Sequence, residues 1–377
     1  MTRRLDRVGL NKSMQRRTML GLGLGLASGA TLGNSCSARA THDAGTELGP
    51  VQLTSTTLGV SVPTLSNAAM MVAGPADSAT ANWAALLDGP LGKMLQPGGN
   101  LSVSAIGGRD GVTGANAFEA LINPDGSTAL LVPGTAAIAW LAGDPRVHFD
   151  AGRWIPALTS FGSAVLMRRP SAPLATLRVA ASTPSGTELP ALLGLSLLGY
   201  LPVPVFGLAD PKDAHAALLN GRVDAVLLTG RSVPQRALNL WHQGIRPVFS
   251  LGIDLPGAPR DPALAQVPTL PDMYGAMFGR QPAGLLFDAW KATAAAVRLD
   301  AALVLQPLTP ASLVAQWRRA CAQAIVSPAL ADATQAAQLT PLSAPDCVAA
   351  LSAIVADQNT LLTLRRWIAS RTDWRPA

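Results

Sequence analysis

Charge is scarce in this chain of 377 residues: Asp, Glu, Lys and Arg together make up only 14%. Histidine is scarcer, with His42, His148, His215 and His242 scattered and no His-x-His, His-Glu-x-x-His or Cys-x-x-Cys spacing. A zinc centre needs ligands clustered in such patterns, so none is expected. A Gly-x-Ser-x-Gly elbow is missing; Gly194-Leu195-Ser196 continues as Leu197-Leu198-Gly199 inside a buried helix pattern. The glycines at 107–114 have neither GxGxxG spacing nor a Walker lysine, which argues against a phosphate-bearing cofactor. No cofactor is expected, and no nucleophile–base constellation points to an enzyme.

Long apolar runs are lacking as well. The stretch Met19–Leu32 is diluted by glycine and too short for a stable span, which needs about 20 apolar residues. It lies between Arg16-Arg17-Thr18-Met19-Leu20, which resembles a twin-arginine export motif, and the small-x-small site Ala38-Arg39-Ala40. Charged start, apolar middle and Ala-x-Ala end describe a signal peptide over 1–40, cleaved near Ala40 and leading to the periplasm. Lipidation at Cys36 is the alternative, although Gly33-Asn34-Ser35 fits a lipobox poorly. Residues 1–40 hold seven of the 29 basic groups and one of the 23 acidic ones, so the remainder carries 22 of each. The formal net charge of +6 therefore belongs to the leader, and the electrostatic case for nucleic acid or an anionic membrane falls away. Of the three cysteines, Cys321 and Cys347 follow the leader; they form either a disulfide or two ordinary buried thiols.

What the chain has in quantity is small residues arranged as strand, loop and helix. Leu101–Ile106 alternates as a strand should, and Gly107, Gly108, Gly111 and Gly114 then free the backbone. Asn123-Pro124-Asp125-Gly126 is a turn, Thr128–Val132 a buried strand, and Pro133-Gly134-Thr135 leads into a helix. Loops that open helices at strand ends present unpaired N–H groups and a positive dipole end, which together bind anions. Similar alternation, with Ala69–Val72 as a strand and Asn82–Leu95 as its helix, argues βαβ units in a parallel sheet. A second run covers Ala164–Met167, Leu177–Ala181, Leu189–Leu198, Val203–Phe206, Ala214–Leu219 and Ala225–Leu228. Beyond Ala283 the pattern is helical, including one long helix over Ala344–Thr372, with Ala301–Leu305 the exception.

These residues resemble the extracytoplasmic solute receptors of tripartite tricarboxylate transporters, the Bug-type binding proteins. The resemblance rests on weak motifs in the right order. They are Pro124-Asp125-Gly126-Ser127-Thr128, Phe149-Asp150 with Trp154-Ile155-Pro156, Ser185-Gly186-Thr187, Leu218–Ala225, and Val267-Pro268-Thr269-Leu270. The first loop departs from the pattern. The family's Gly-Gly-x-x-Asp-x-x-Ala-Arg is here Gly74-Pro75-Ala76-Asp77-Ser78-Ala79-Thr80-Ala81-Asn82, with Pro75 for the second glycine and Asn82 for arginine.

The resemblance implies a bilobal, periplasmic-binding-protein-like fold: two α/β domains with a ligand cleft between them. The first domain would be discontinuous, over 61–163 and 285–377, with the second over 164–284 and a linker over 41–60. It implies a receptor that closes on a small carboxylate and delivers it to membrane permease subunits, acting as a monomer without nucleic acid. The ligand-binding set it points to is Gly74, Asp77, Ser78, Gly134, Thr135, Ala136, Ser185, Gly186, Thr187 and Asp224. Each has a plain alternative: Thr135 as an N-cap, Gly186 and Thr187 as turn and cap, Asp224 as the end of an element. Arg231, after the strand Val226–Leu228 and Gly230, is either a solvated loop residue or a counter-ion for a carboxylate. A sensor or structural relative that has lost transport, and a secreted enzyme on the same scaffold, are the rival functions.

Overall fold

The computed structural model describes Leu65 and residues 67–96, 101–172, 175–252 and 261–376; the expected leader, linker and Cys36 lie outside these. The chain begins with β1 (Ala69–Ala73), α1 (Ala79–Leu95), β2 (Ser102–Ile106), α2 (Val112–Leu121), β3 (Thr128–Val132), α3 (Gly134–Ala142) and β4 (Ile155–Phe161). The alternation anticipated from Leu101 to Thr135 is present. Its turn forms as the residue types dictate: Asp125 Oδ1 accepts from the Ser127 amide at 2.8 Å and Gly126 adopts φ +79°. β1 reads Ala-Met-Met-Val-Ala because, paired in parallel with β2 and β3, it is covered on both faces: Met70 and Val72 join the cluster of Trp83 and Leu87 of α1, and Met71 and Ala73 that of Phe118 of α2.

The second lobe follows as β5 (Val165–Arg168), β6 (Thr176–Ala180), α4 (Leu189–Leu197), β7 (Leu201–Val205), α5 (Pro211–Leu219), β8 (Ala225–Leu228), α6 (Val233–His242), β9 (Arg246–Ser250) and α7 (Leu270–Phe278). The chain then returns through α8 (Leu285–Arg298), β10 (Leu299–Leu305), α9 (Ala311–Ile325), α10 (Pro328–Ala337), β11 (Thr340–Ser343), α11 (Asp346–Ser352) and α12 (Gln358–Arg371). The first sheet has the order β11-β4-β10-β3-β1-β2 and the second β7-β6-β8-β5-β9, so this is a two-lobed α/β fold.

Three details differ from the sequence expectation. The sheets are mixed: β10 runs antiparallel between β3 and β4, and β5 antiparallel between β8 and β9. Strands β4 and β11 carry proline, which removes a ladder donor and masks a strand in sequence. Pro156 is accommodated beside a register shift and Pro341 on the sheet edge, the two places where strands tolerate it. The helix expected over Ala344–Thr372 is two helices, because Asp357 caps α12 by accepting from the amides of Asn359 and Thr360 at 2.8 and 3.0 Å.

The lobes share their apolar core. One cluster includes Leu130 and Phe161 of the first sheet, Leu166 and Val179 of the second, Leu195 of α4 and Trp290 of α8. Trp290 is fully buried and its indole donates to the Pro190 carbonyl at 3.0 Å, so α8 is fastened to the start of α4. At the crossing strand, the Gly162 amide donates to Arg298 O at 2.8 Å and Arg298 Nε to Gly162 O at 3.2 Å. Burial of Arg298 pushes its guanidinium below the usual arginine range, with Asp261 acting in the opposite direction. No helix among the described residues is long and apolar enough to cross a membrane.

Candidate functional site between the lobes

On the first lobe the relevant backbone lies past the carboxyl ends of β1, β2 and β3. Gly74 has φ +151° and is buried, with Ser78 Oγ just 3.0 Å from where a Cβ would stand. Only glycine relaxes into that conformation under the cap. Ser78 is the N-cap of α1, its Oγ accepting from the Ala81 amide at 3.1 Å, and the helix has no acidic residue in its first turn. The positive end of its dipole is therefore not offset locally. Asp77 is exposed and pairs with Arg109 across the neighbouring loop.

The start of α3 is a different case. Gly134 is buried, and a Cβ there would collide with the carbonyl oxygens of Ala296 and Leu299, so the crossing of α8 into β10 seals this helix end. Ala136 is fully buried. Thr135 spends its hydroxyl on Asp110 O at 3.0 Å. Of this trio only Thr135 retains partial exposure.

On the second lobe, Ser185, Gly186 and Thr187 lie in the loop from β6 to α4. Glu188 folds back over this loop: its Oε2 accepts from the Ser182 amide at 3.1 Å and from Ser182 Oγ at 2.9 Å. Its Oε1 accepts from Thr187 Oγ1 at 3.2 Å. A side chain at Gly186 would have to push Ser182 Oγ and Glu188 Oε2 aside and so disturb this arrangement. The chain's own carboxylate thus takes donors that an incoming anion would use.

Two sets of contacts bring the lobes together. Ser185 Oγ donates to Asp144 Oδ2 at 3.4 Å, and Asp144 pairs with Arg146, which also reaches Asp110 at 2.7 Å. Burial pushes the Asp144 carboxyl up, but the hydrogen bonds and charge of Arg146 outweigh it and hold the group below its usual range. In the second set, Arg231 extends from the loop after β8 to Ala79 O at 3.3 Å, at the first residue of α1. Its guanidinium also lies 3.6 Å from Asp300, whose carboxylate accepts from the Trp83 indole at 2.6 Å. The Arg231 Nε is buried with no hydrogen-bond partner among the described residues.

Asp224 stands apart from both sets. It precedes β8, whereas the loop carrying Arg231 follows the opposite end of that strand. Its carboxylate accepts from the Arg178 amide and Nε at 2.9 Å and from Nη2 at 2.8 Å. Those hydrogen bonds hold the acid below the usual carboxylate range against the opposing effect of burial. Arg231 was visible in sequence as a lone arginine after a strand; Asp300 and Asp144 carry no local signal, because only the fold brings them to the loops.

No family model matches the chain, and no curated protein matches it. Among solved structures, a TctC solute binding protein from Polaromonas, determined without ligand, superposes with a TM-score of 0.57 at 16% identity. That match covers 81% of this chain and 98% of that one. The chain has the fold of a TctC solute binding protein. MatC from Rhodopseudomonas palustris with bound malate gives a TM-score of 0.49 at 18% identity, over 81% of this chain and 99% of that one. The periplasmic binding protein BugD gives 0.48 at 15% identity, covering 81% and 96%. The TctC-like fold supplies two lobes with strand–helix loops on each.

Proposed function

We propose that the chain is an exported periplasmic receptor that captures a small carboxylate between its lobes by domain closure and delivers it to a membrane permease. It acts as a monomer and performs no catalysis. The observation that carries this reading is Arg231, a cation of the second lobe placed at the N-terminal turn of α1 in the first. A carboxylate seated there meets a guanidinium from one lobe and helix-start amides from the other, so it stabilises the state in which both are near. Gly74, Ser78 and Asp77 shape the first-lobe side; Thr135, Ser185, Gly186 and Thr187 line the remainder. Gly134, Ala136 and Asp224 act as packing and pairing residues in this scheme.

Thermal unfolding of wild type and Arg231→Met against succinate, malate and citrate, with glucose as control, tests it. A ligand at 100 times its dissociation constant adds about 2.7 kcal/mol to stability. The expected result is a selective rise with one acid that Arg231→Met loses. A rise that survives the substitution overturns the role of Arg231. A second reading, a relative that has lost carboxylate transport, is favoured by the Glu188 carboxylate already seated at the start of α4. It predicts no rise with any of the acids in wild type.

A further inference from the structure

We propose that the cavity between α5 and α6 is a second binding site, confined to one lobe, for a small organic acid with an apolar body. Its volume is about 290 Å³ and every residue lining it belongs to the second lobe, so it needs no closure of the cleft. Ligand pockets begin at roughly 300 Å³, so the space suits a compact molecule. The cavity lies at the carboxyl ends of parallel neighbours β6 and β8. The connection from β6 leads out to β7, while that from β8 leads the other way to β9. Adjacent strands whose loops part in this way leave a crevice, the usual ligand position in open α/β sheets.

The lining combines an apolar floor with a cationic rim. Leu208, Leu228 and Leu240 supply the floor, and Lys212, His215 and Arg236 the polar groups. Neither Lys212 nor Arg236 has an ion-pair partner among the described residues. Arg236 donates to Thr229 O at 2.9 Å, and its burial pushes the guanidinium below the usual arginine range, so an anion there relieves a desolvated charge. His215 Nε2 is buried without a hydrogen-bond partner, a cost that a ligand oxygen removes. The one acid in the wall, Glu188, has both oxygens engaged by Ser182 and Thr187.

The test is a titration of the full chain, with leucine methyl and tryptophan indole signals followed by NMR, using hexanoate and its neutral analogue 1-hexanol. Saturable shifts of the Leu208, Leu228 and Leu240 methyls with hexanoate alone are expected, with the Trp83 indole still. Lys212→Ala and His215→Gln, both at partly or fully exposed positions, are expected to weaken hexanoate about tenfold. Equal shifts with hexanol, or full affinity in both variants, overturn the anion site. Silent leucine methyls at millimolar hexanoate overturn it as well. Movement of Trp83 alone places the acid beside Arg231, which supports the interlobe reading and overturns this one.

Discussion

Two glycine-to-alanine substitutions are expected to change stability in opposite directions, and their difference tests the packing described for α3. Gly275 lies inside α7, half-buried, and the position an added methyl group would take meets only Gln281 Nε2 at 3.6 Å, an ordinary contact. Alanine there gains helix propensity and restricts the unfolded chain, worth about 0.4–1 kcal/mol. Gly134 opens α3, where propensity alone predicts a gain of similar sign. The added Cβ, however, meets the carbonyl oxygens of Ala296 and Leu299 inside van der Waals contact and Leu299 Cβ at 3.0 Å. All but the last are backbone atoms held by the α8–β10 junction, so they cannot rotate away. Overpacking of a core costs about 1–3 kcal/mol, and a clash with fixed backbone belongs at the upper end. Sterics win over propensity by about 2 kcal/mol or more. At roughly 2–4 °C per kcal/mol for a chain of this class, Gly134→Ala melts about 4–8 °C below wild type and Gly275→Ala about 1–4 °C above it. Urea unfolding with unchanged m-values checks that each substitution changes stability without changing the surface exposed on unfolding. A Gly134→Ala protein as stable as wild type would refute the sealed helix start and restore Gly134 as a residue open to ligand.

Asp224 and the cysteines give further expectations. The folded-state pKa of Asp224 is depressed, so its contribution to stability is full above the unfolded carboxylate pKa and is lost as pH falls through the folded value. Asp224→Asn should therefore be less stable than wild type at neutral pH, with the gap narrowing in acid and carboxylate affinity unchanged. A constant gap down to acid pH, or lost affinity at full stability, contradicts the pairing with Arg178. Cys321 and Cys347 are both free thiols and buried, and desolvation pushes Cys347 up to about 11 and Cys321 higher still. Ellman's reagent should find neither in the native protein and both after denaturation; fast labelling of the native fold contradicts their burial.

The strand–loop–helix alternation was legible because its signals are local. Asp125 and Gly126 make their turn within four residues, and β1, β2 and β3 alternate with helices at ordinary spacing. The strands that escaped notice, β4 and β11, are those whose proline obscures the pattern, and they pair antiparallel with partners far along the chain. The site was harder for the same reason. Ser78 as an N-cap follows from its type and place, but nothing near Gly134 in sequence announces that Leu299 will lie over it. Asp224 illustrates the converse: a motif placed it in the cleft, whereas Arg178, 46 residues earlier, takes up its charge.

The acids near the loops decide which ligand chemistry the cleft accepts. Before α4 the Glu188 carboxylate occupies the loop, accepting from Ser182 and Thr187 rather than from the helix amides. A second carboxylate at that loop would sit against the first, and like charges that close repel. Neither acid near the start of α1 accepts from its amides: Asp77 turns outward to Arg109, and Asp300 is taken up by Arg231 and the Trp83 indole. On the proposed reading the cleft is asymmetric: α1 with Arg231 would accept the anion, and the α4 side would suit a hydroxyl or amide that donates to Glu188. Glu188→Gln should then shift preference from monocarboxylates bearing a donor group toward dicarboxylates, read as a change in the rank order of acids by thermal shift. An unchanged rank order removes Glu188 from the cleft's selectivity and leaves it as a loop staple alone.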